Sequence, residues 1–104
     1  MVFIETPIFT KEIQKHLADN DLRRLQLVLL LRPTSGNIIQ GSNGLRKIRF
    51  NLPRQGKRGG LRVIYYFDPP DTIYLIFPYK KSRKEDLTND QIKVLAQIVK
   101  EYLK

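Results

Sequence analysis

Residues 45–67 read LRKIRFNLPRQGKRGGLRVIYYF. Two runs rich in β-branched, aliphatic and aromatic residues, 45–50 and 61–67, flank NLPRQGKRGG at 51–60. That pattern predicts two strands joined by a long hairpin connection. In the first strand, alternation puts Ile48 and Phe50 on one face and Leu45, Lys47 and Arg49 on the other. The second strand is apolar on both faces except at Arg62, which predicts a central strand. The connector carries Arg54, Lys57 and Arg58 among Gly and Pro. Like charges and little to pack predict a loop that is mobile alone and ordered on a polyanion.

The same reading extends in both directions. DPPD at 68–71 is a tight turn that favours an antiparallel third strand at 72–77. Upstream, PTSGNIIQGSNG at 33–44 has turn chemistry throughout and predicts a loop. A helix precedes it, with Leu22, Leu25, Val28 and Leu29 inward. Asp19, Asn20 and Asp21 are available to cap it, and Pro33 lies beyond its end. Before that, Thr6-Pro7 supplies a cap and a proline at the first helical position. Phe9, Ile13 and Leu17 then recur on one helical face. Residues 1–6 read as a strand. At the other end, Thr88 and Gln91 form a capping box, flanked by Leu87 and Ile92 as a hydrophobic staple. Ile92, Leu95, Ile98 or Val99, and Tyr102 make the apolar stripe of a last helix. The expected order is βααβββα in one α+β domain over residues 1–104.

Charge then bounds the function. The chain has 19 Lys and Arg against 10 Asp and Glu, a net charge of +9. Residues 22–67 hold ten of those cations and no acid. A second basic cluster, YKKSRK at 79–84, follows the third strand. Unbalanced positive charge on this scale calls for a polyanion, of which nucleic acid is the commonest. There is no cysteine, which excludes disulfides, zinc ribbons and thiol catalysis. The first residues lack the pattern of a secretory signal. LQLVLLL at 25–31 is too short to cross a bilayer, so no membrane partner is expected.

Metal-assisted hydrolysis and a nucleophilic triad both fit poorly. Each needs clustered histidines or carboxylates, and the single histidine, His16, reads as a surface residue beside Lys15. What remains is a site of Arg, Lys and Tyr. Arg offers a planar fork to phosphate oxygens and Lys a point charge. Such a site can bind a phosphodiester, or it can stabilise attack by the RNA's own 2′-OH on the adjacent phosphorus. On charge alone, plain nucleic-acid binding outweighs catalysis.

The strings GSNGLRKIRF at 41–50, GKRGGLRVIYYF at 56–67 and YLIFPYKKSRKEDLT at 74–88 resemble the RelE/HigB-type toxins of bacterial toxin–antitoxin modules, and most of all the HigB branch. The resemblance implies a microbial-ribonuclease-like fold with two N-terminal helices, a twisted, mostly antiparallel sheet and a C-terminal helix. It implies a cytoplasmic endoribonuclease that cleaves mRNA in the ribosomal A site, on the small subunit, with no metal or other cofactor. It implies a cognate antitoxin, a helix-turn-helix DNA-binding protein, as partner. By motif, the catalytic set is Arg62, Lys47 and Lys80, with Tyr79 substituting for a family tyrosine whose position is taken by Leu87. Arg46, Arg49, Arg54, Lys57, Arg58, Lys81, Arg83 and Lys84 are the expected RNA contacts. Lys47, Arg49, Lys80 and Lys81 are expected to act with Arg62 as one anion site. The alternatives are a non-catalytic basic nucleic-acid-binding domain and an inactive member of the family.

Overall fold

The apolar strand with its single arginine, β4 (Leu61–Asp68), lies at the centre of a five-stranded sheet. A computed structural model describes residues 1–51, 60–80 and 86–103. The connector cations Arg54, Lys57 and Arg58, and the later Lys81, Arg83 and Lys84, lie outside the described residues. So does the expectation about the connector's mobility. The remaining strands are β1 (Val2–Glu5), β2 (Asn37–Ile38), β3 (Arg46–Phe50) and β5 (Thr72–Lys80). The sheet order is β1-β5-β4-β3-β2. β1 pairs parallel with β5, and every other pairing is antiparallel. The architecture is therefore α+β with a mostly antiparallel open sheet, as the pattern of elements predicts.

Both faces are covered. Helices α1 (Pro7–Ile13) and α2 (Asp19–Leu31) place Phe9, Ile13, Leu25 and Leu29 over Ile48, Val63, Tyr65 and Leu75. Helix α3 (Asn89–Tyr102) places Leu95, Ala96 and Val99 over Leu45, Ile64, Tyr74 and Ile76 on the opposite face. Both predicted caps form. Thr6 accepts from the Phe9 amide, with Pro7 at the first helical position. Thr88 and Gln91 close the capping box reciprocally.

Four expectations need correction. The loop at 33–44 contains β2, whose Asn37 and Ile38 pair with Lys47 and Arg46. Turn-forming neighbours conceal a pairing this short, and only the β3 edge creates it. Val28 points outward, not inward. Aliphatics surround the whole C-terminal half of α2, so their spacing carries little angular information. The acids at 19 and 21 do not cap α2; Ala18 holds the cap position, and both carboxylates lie in the first turn, where they favour the helix dipole. Finally, the last strand continues through Pro78 to Lys80. Proline is tolerated there because β1 pairs with β5 only as far as Leu75, leaving that end of β5 at a sheet edge.

One irregularity sets the site. Ile64 pairs with Phe77 but Tyr65 pairs with Leu75, so Ile76 is an extra residue in β5. A bulge of this kind reverses the alternation of everything beyond it. It carries Tyr79 onto the face of Arg62, its cross-strand partner. The carbonyl of Ile76 accepts a 2.8 Å bond from the buried Thr6 hydroxyl, the same hydroxyl that caps α1. Thr6→Val keeps the shape and deletes both bonds. It should cost about 1–3 kcal/mol, a drop of several degrees in melting temperature, while Thr6→Ser should restore most of the loss. Thermal melts of the two variants check this.

Candidate active site

Arg62 is 7% exposed, the most buried arginine among the described residues. Register places Arg49 on one side of it and Tyr79 on the other, on the α3 face of the sheet. Its Nη1 is buried and makes no hydrogen bond among the described residues. A Cβ on Gly60 would stand 2.7 Å from that nitrogen, so glycine there leaves room for the guanidinium. A buried donor without an acceptor is costly, and a bound anion would offset that cost.

Beside Arg62, three side chains converge. Lys47 sits two residues before Arg49 on the same face of β3 and donates to Asp86 Oδ1 at 3.0 Å. The Tyr79 hydroxyl donates to the same oxygen at 3.4 Å, a long bond. Asp86 comes from the segment that leads into the capped end of α3. The Lys47 hydrogen bond holds the Asp86 carboxyl below its ordinary range. Burial, then the Asp86 charge, pushes the Tyr79 phenol up to about 12. Near neutral pH the pair is thus a carboxylate and a protonated phenol. The Phe77 ring stacks on Tyr79 with centroids 6.2 Å apart and fixes its plane.

The sequence-predicted residues separate into groups. Lys47, Arg49, Arg62 and Tyr79 share one face. Lys80 pairs with Leu61, whose side chain belongs to the opposite face, so the register does not bring Lys80 to Arg62. Lys80 instead lines an open cleft of about 450 Å³ with Glu12, Lys15 and His16. His16 is half-buried there, not fully at the surface. Arg46 is engaged elsewhere: it donates to the carbonyls of Thr34 and Gly36 at 3.2 and 2.8 Å, fastening the loop before β2. Tyr65 is fully buried and ties the same loop, accepting from Gly36 N and donating to Pro33 O. It is core, as its place in an apolar strand implies. Tyr66 and Phe67 are half-buried against the two clusters.

Sequence reasoning missed Asp86. It lies in a run of charges, KEDLT, with nothing to separate it from a solvated acid; only its place two residues before a helix cap marks it out. Among the described residues no group of three His, Cys, Asp or Glu could hold a metal ion. No helix among them is long and apolar enough to cross a membrane.

A family profile described as the RelE toxin of the RelE/RelB toxin–antitoxin system matches residues 3–104. The chain belongs to the RelE toxin family. The match begins within β1 and runs through every later element, so the family assignment rests on nearly the whole chain and not on the basic motifs alone. Membership makes the protein a toxin of a toxin–antitoxin system, with an antitoxin as its partner. For a RelE-family chain, the buried arginine and its Lys–Asp–Tyr neighbours are the constellation to explain.

Proposed function

We propose that this toxin is a HigB-like, ribosome-dependent endoribonuclease that halts translation by cutting mRNA in the ribosomal A site, on the small subunit. The observation that carries the reading is Arg62: a buried guanidinium with an unsatisfied nitrogen, beside a cation, a carboxylate and a phenol. That is the set needed to turn an RNA 2′-OH on its own phosphodiester. Asp86 accepts the 2′-OH proton as the 2′-oxygen bonds to phosphorus. Arg62 and Lys47 stabilise the charge that builds on the non-bridging oxygens. The bond from phosphorus to the 5′-oxygen breaks, and Tyr79 gives that oxygen a proton. The products are a cyclic phosphate and a free 5′-OH, and no cofactor takes part. Metal-independence follows from this division of labour, since the cations do the work of a Lewis acid.

Arg49 and Lys80, with Arg54, Lys57, Arg58, Lys81, Arg83 and Lys84 of the two basic segments, contact the RNA backbone around the reacting phosphate. The whole chain acts as one toxin domain. Its work on ribosomes implies a cytoplasmic location, and a helix-turn-helix antitoxin holds it inactive. In a purified translation extract, the toxin should fragment message into pieces with cyclic or 3′-phosphate ends and new 5′-OH ends. Message that stays intact while the protein binds ribosomes would instead favour the non-catalytic reading. Inorganic phosphate should raise the melting temperature, and less so in Lys47→Ala, because ligand that binds only the folded state stabilises it by mass action. Equal shifts in both proteins would remove Lys47 from the anion site.

A further inference from the structure

A cleft of about 410 Å³ includes Lys47, Tyr79 and Asp86 in its lining. The rest is of a different character. Ile39 and Ile92 are apolar members of the lining, and Asn37, Gln40 and Asn89 are three carboxamide-bearing residues among it. These come from two separate elements: β2 and its following turn, and the first residue of α3. The α3 cap is already closed by Thr88 and Gln91, so Asn89 has no capping duty. The volume falls in the range of about 300–1,000 Å³ typical of small-ligand pockets.

We propose that this cleft is a nucleobase subsite, in which Asn37, Gln40 and Asn89 read the edge of the base next to the scissile phosphate. The inference rests on the ribonuclease reading above and deepens it. A phosphate alone has no use for apolar walls or carboxamides; a flat base with one does. Single-stranded RNA presents unstacked bases whose faces pack against apolar or aromatic groups and whose edges offer a donor beside an acceptor. A carboxamide offers the complement, an N–H₂ donor beside a carbonyl acceptor, which is why Asn and Gln pair with base edges in bidentate fashion. Lys47 and Asp86 line the same cleft, so a base held there lies beside the groups that act on the bond to be broken. The subsite would thus make cutting depend on which nucleotide occupies it.

Two measurements test this. The first follows side-chain amide signals by NMR while adding either a dinucleoside monophosphate that lacks the attacking 2′-OH or ribose 5-phosphate, which lacks a base. The dinucleoside should shift the Asn37, Gln40 and Asn89 amides, and ribose 5-phosphate should leave them in place. Amides unmoved by the dinucleoside, or moved equally by both probes, overturn the subsite. The second maps cuts along a message in translation extract with Asn37→Ala/Gln40→Ala. The ratio of cutting at preferred to less-preferred positions should fall by about fivefold or more, since a bidentate base contact discriminates at least that well. An unchanged ratio also overturns it. Wild-type protein that cuts no message defeats the ribonuclease reading instead, and the NMR arm then decides the subsite by itself.

Discussion

Arg62→Ala is expected to lower ribosomal message cleavage by about two to three orders of magnitude, the usual loss when one donor to a developing oxyanion is removed. It should do so in a protein that still folds. The argument comes from the same burial that makes the residue important. Arg62 is 7% exposed with an unsatisfied nitrogen, so in the free toxin its charge is a liability. Alanine removes that liability and loses the packing of the aliphatic stem. The two effects oppose, and the melting temperature should move little. Arg62→Met, which keeps the stem, should melt no lower than wild type and cleave as poorly as the alanine variant. Arg62→Lys keeps the charge and loses the planar fork, so it should fall between. Folded alanine and methionine variants that cut at the wild-type rate would show that Arg62 is structural.

That prediction could be framed from sequence because Arg62 announces itself. One charge inside an otherwise apolar run is a local contradiction, and local contradictions mark functional positions. The central position of β4, the α3 cap and the two faces of β3 were legible for the same reason: each is a short-range pattern. The misplacements have a common cause in long-range structure. Lys80 follows Tyr79 in the chain, and without Ile76 as an extra residue it would share the Arg62 face. The bulge exchanges the two, and what holds it is Thr6, seventy positions away. β2 exists only because β3 offers it an edge. Asp86 meets Lys47 and Tyr79 only when the approach to α3 is laid over them. Polar residues whose role depends on distant elements carry no periodicity to reveal them.

Asp86 therefore supports the second large prediction. Asp86→Asn keeps the shape and the Lys47 contact but removes the charge. Loss of a general base typically costs about two to four orders of magnitude in rate, and cleavage should fall within that range. The variant carries an independent signature. The Tyr79 phenol is pushed up to about 12 by burial first and by the Asp86 carboxylate second. Without the carboxylate, the tyrosinate titration of this residue should shift down toward ordinary phenols while staying above them, because the burial persists. The signs of the stability changes follow. Asp86 sits below its ordinary value, so its contribution is present above the ordinary carboxylate range and fades as pH falls through the folded value. Its side chain is 67% exposed, so that contribution is screened and should shrink with salt. Tyr79 is raised, so its contribution is complete below ordinary phenol titration and is lost as pH climbs toward 12. Between those limits both groups keep the forms that proton transfer needs, a carboxylate to accept and a phenol to donate. A variant whose Tyr79 titration falls while cleavage is unchanged would assign Asp86 to electrostatics alone and leave the base to be found elsewhere.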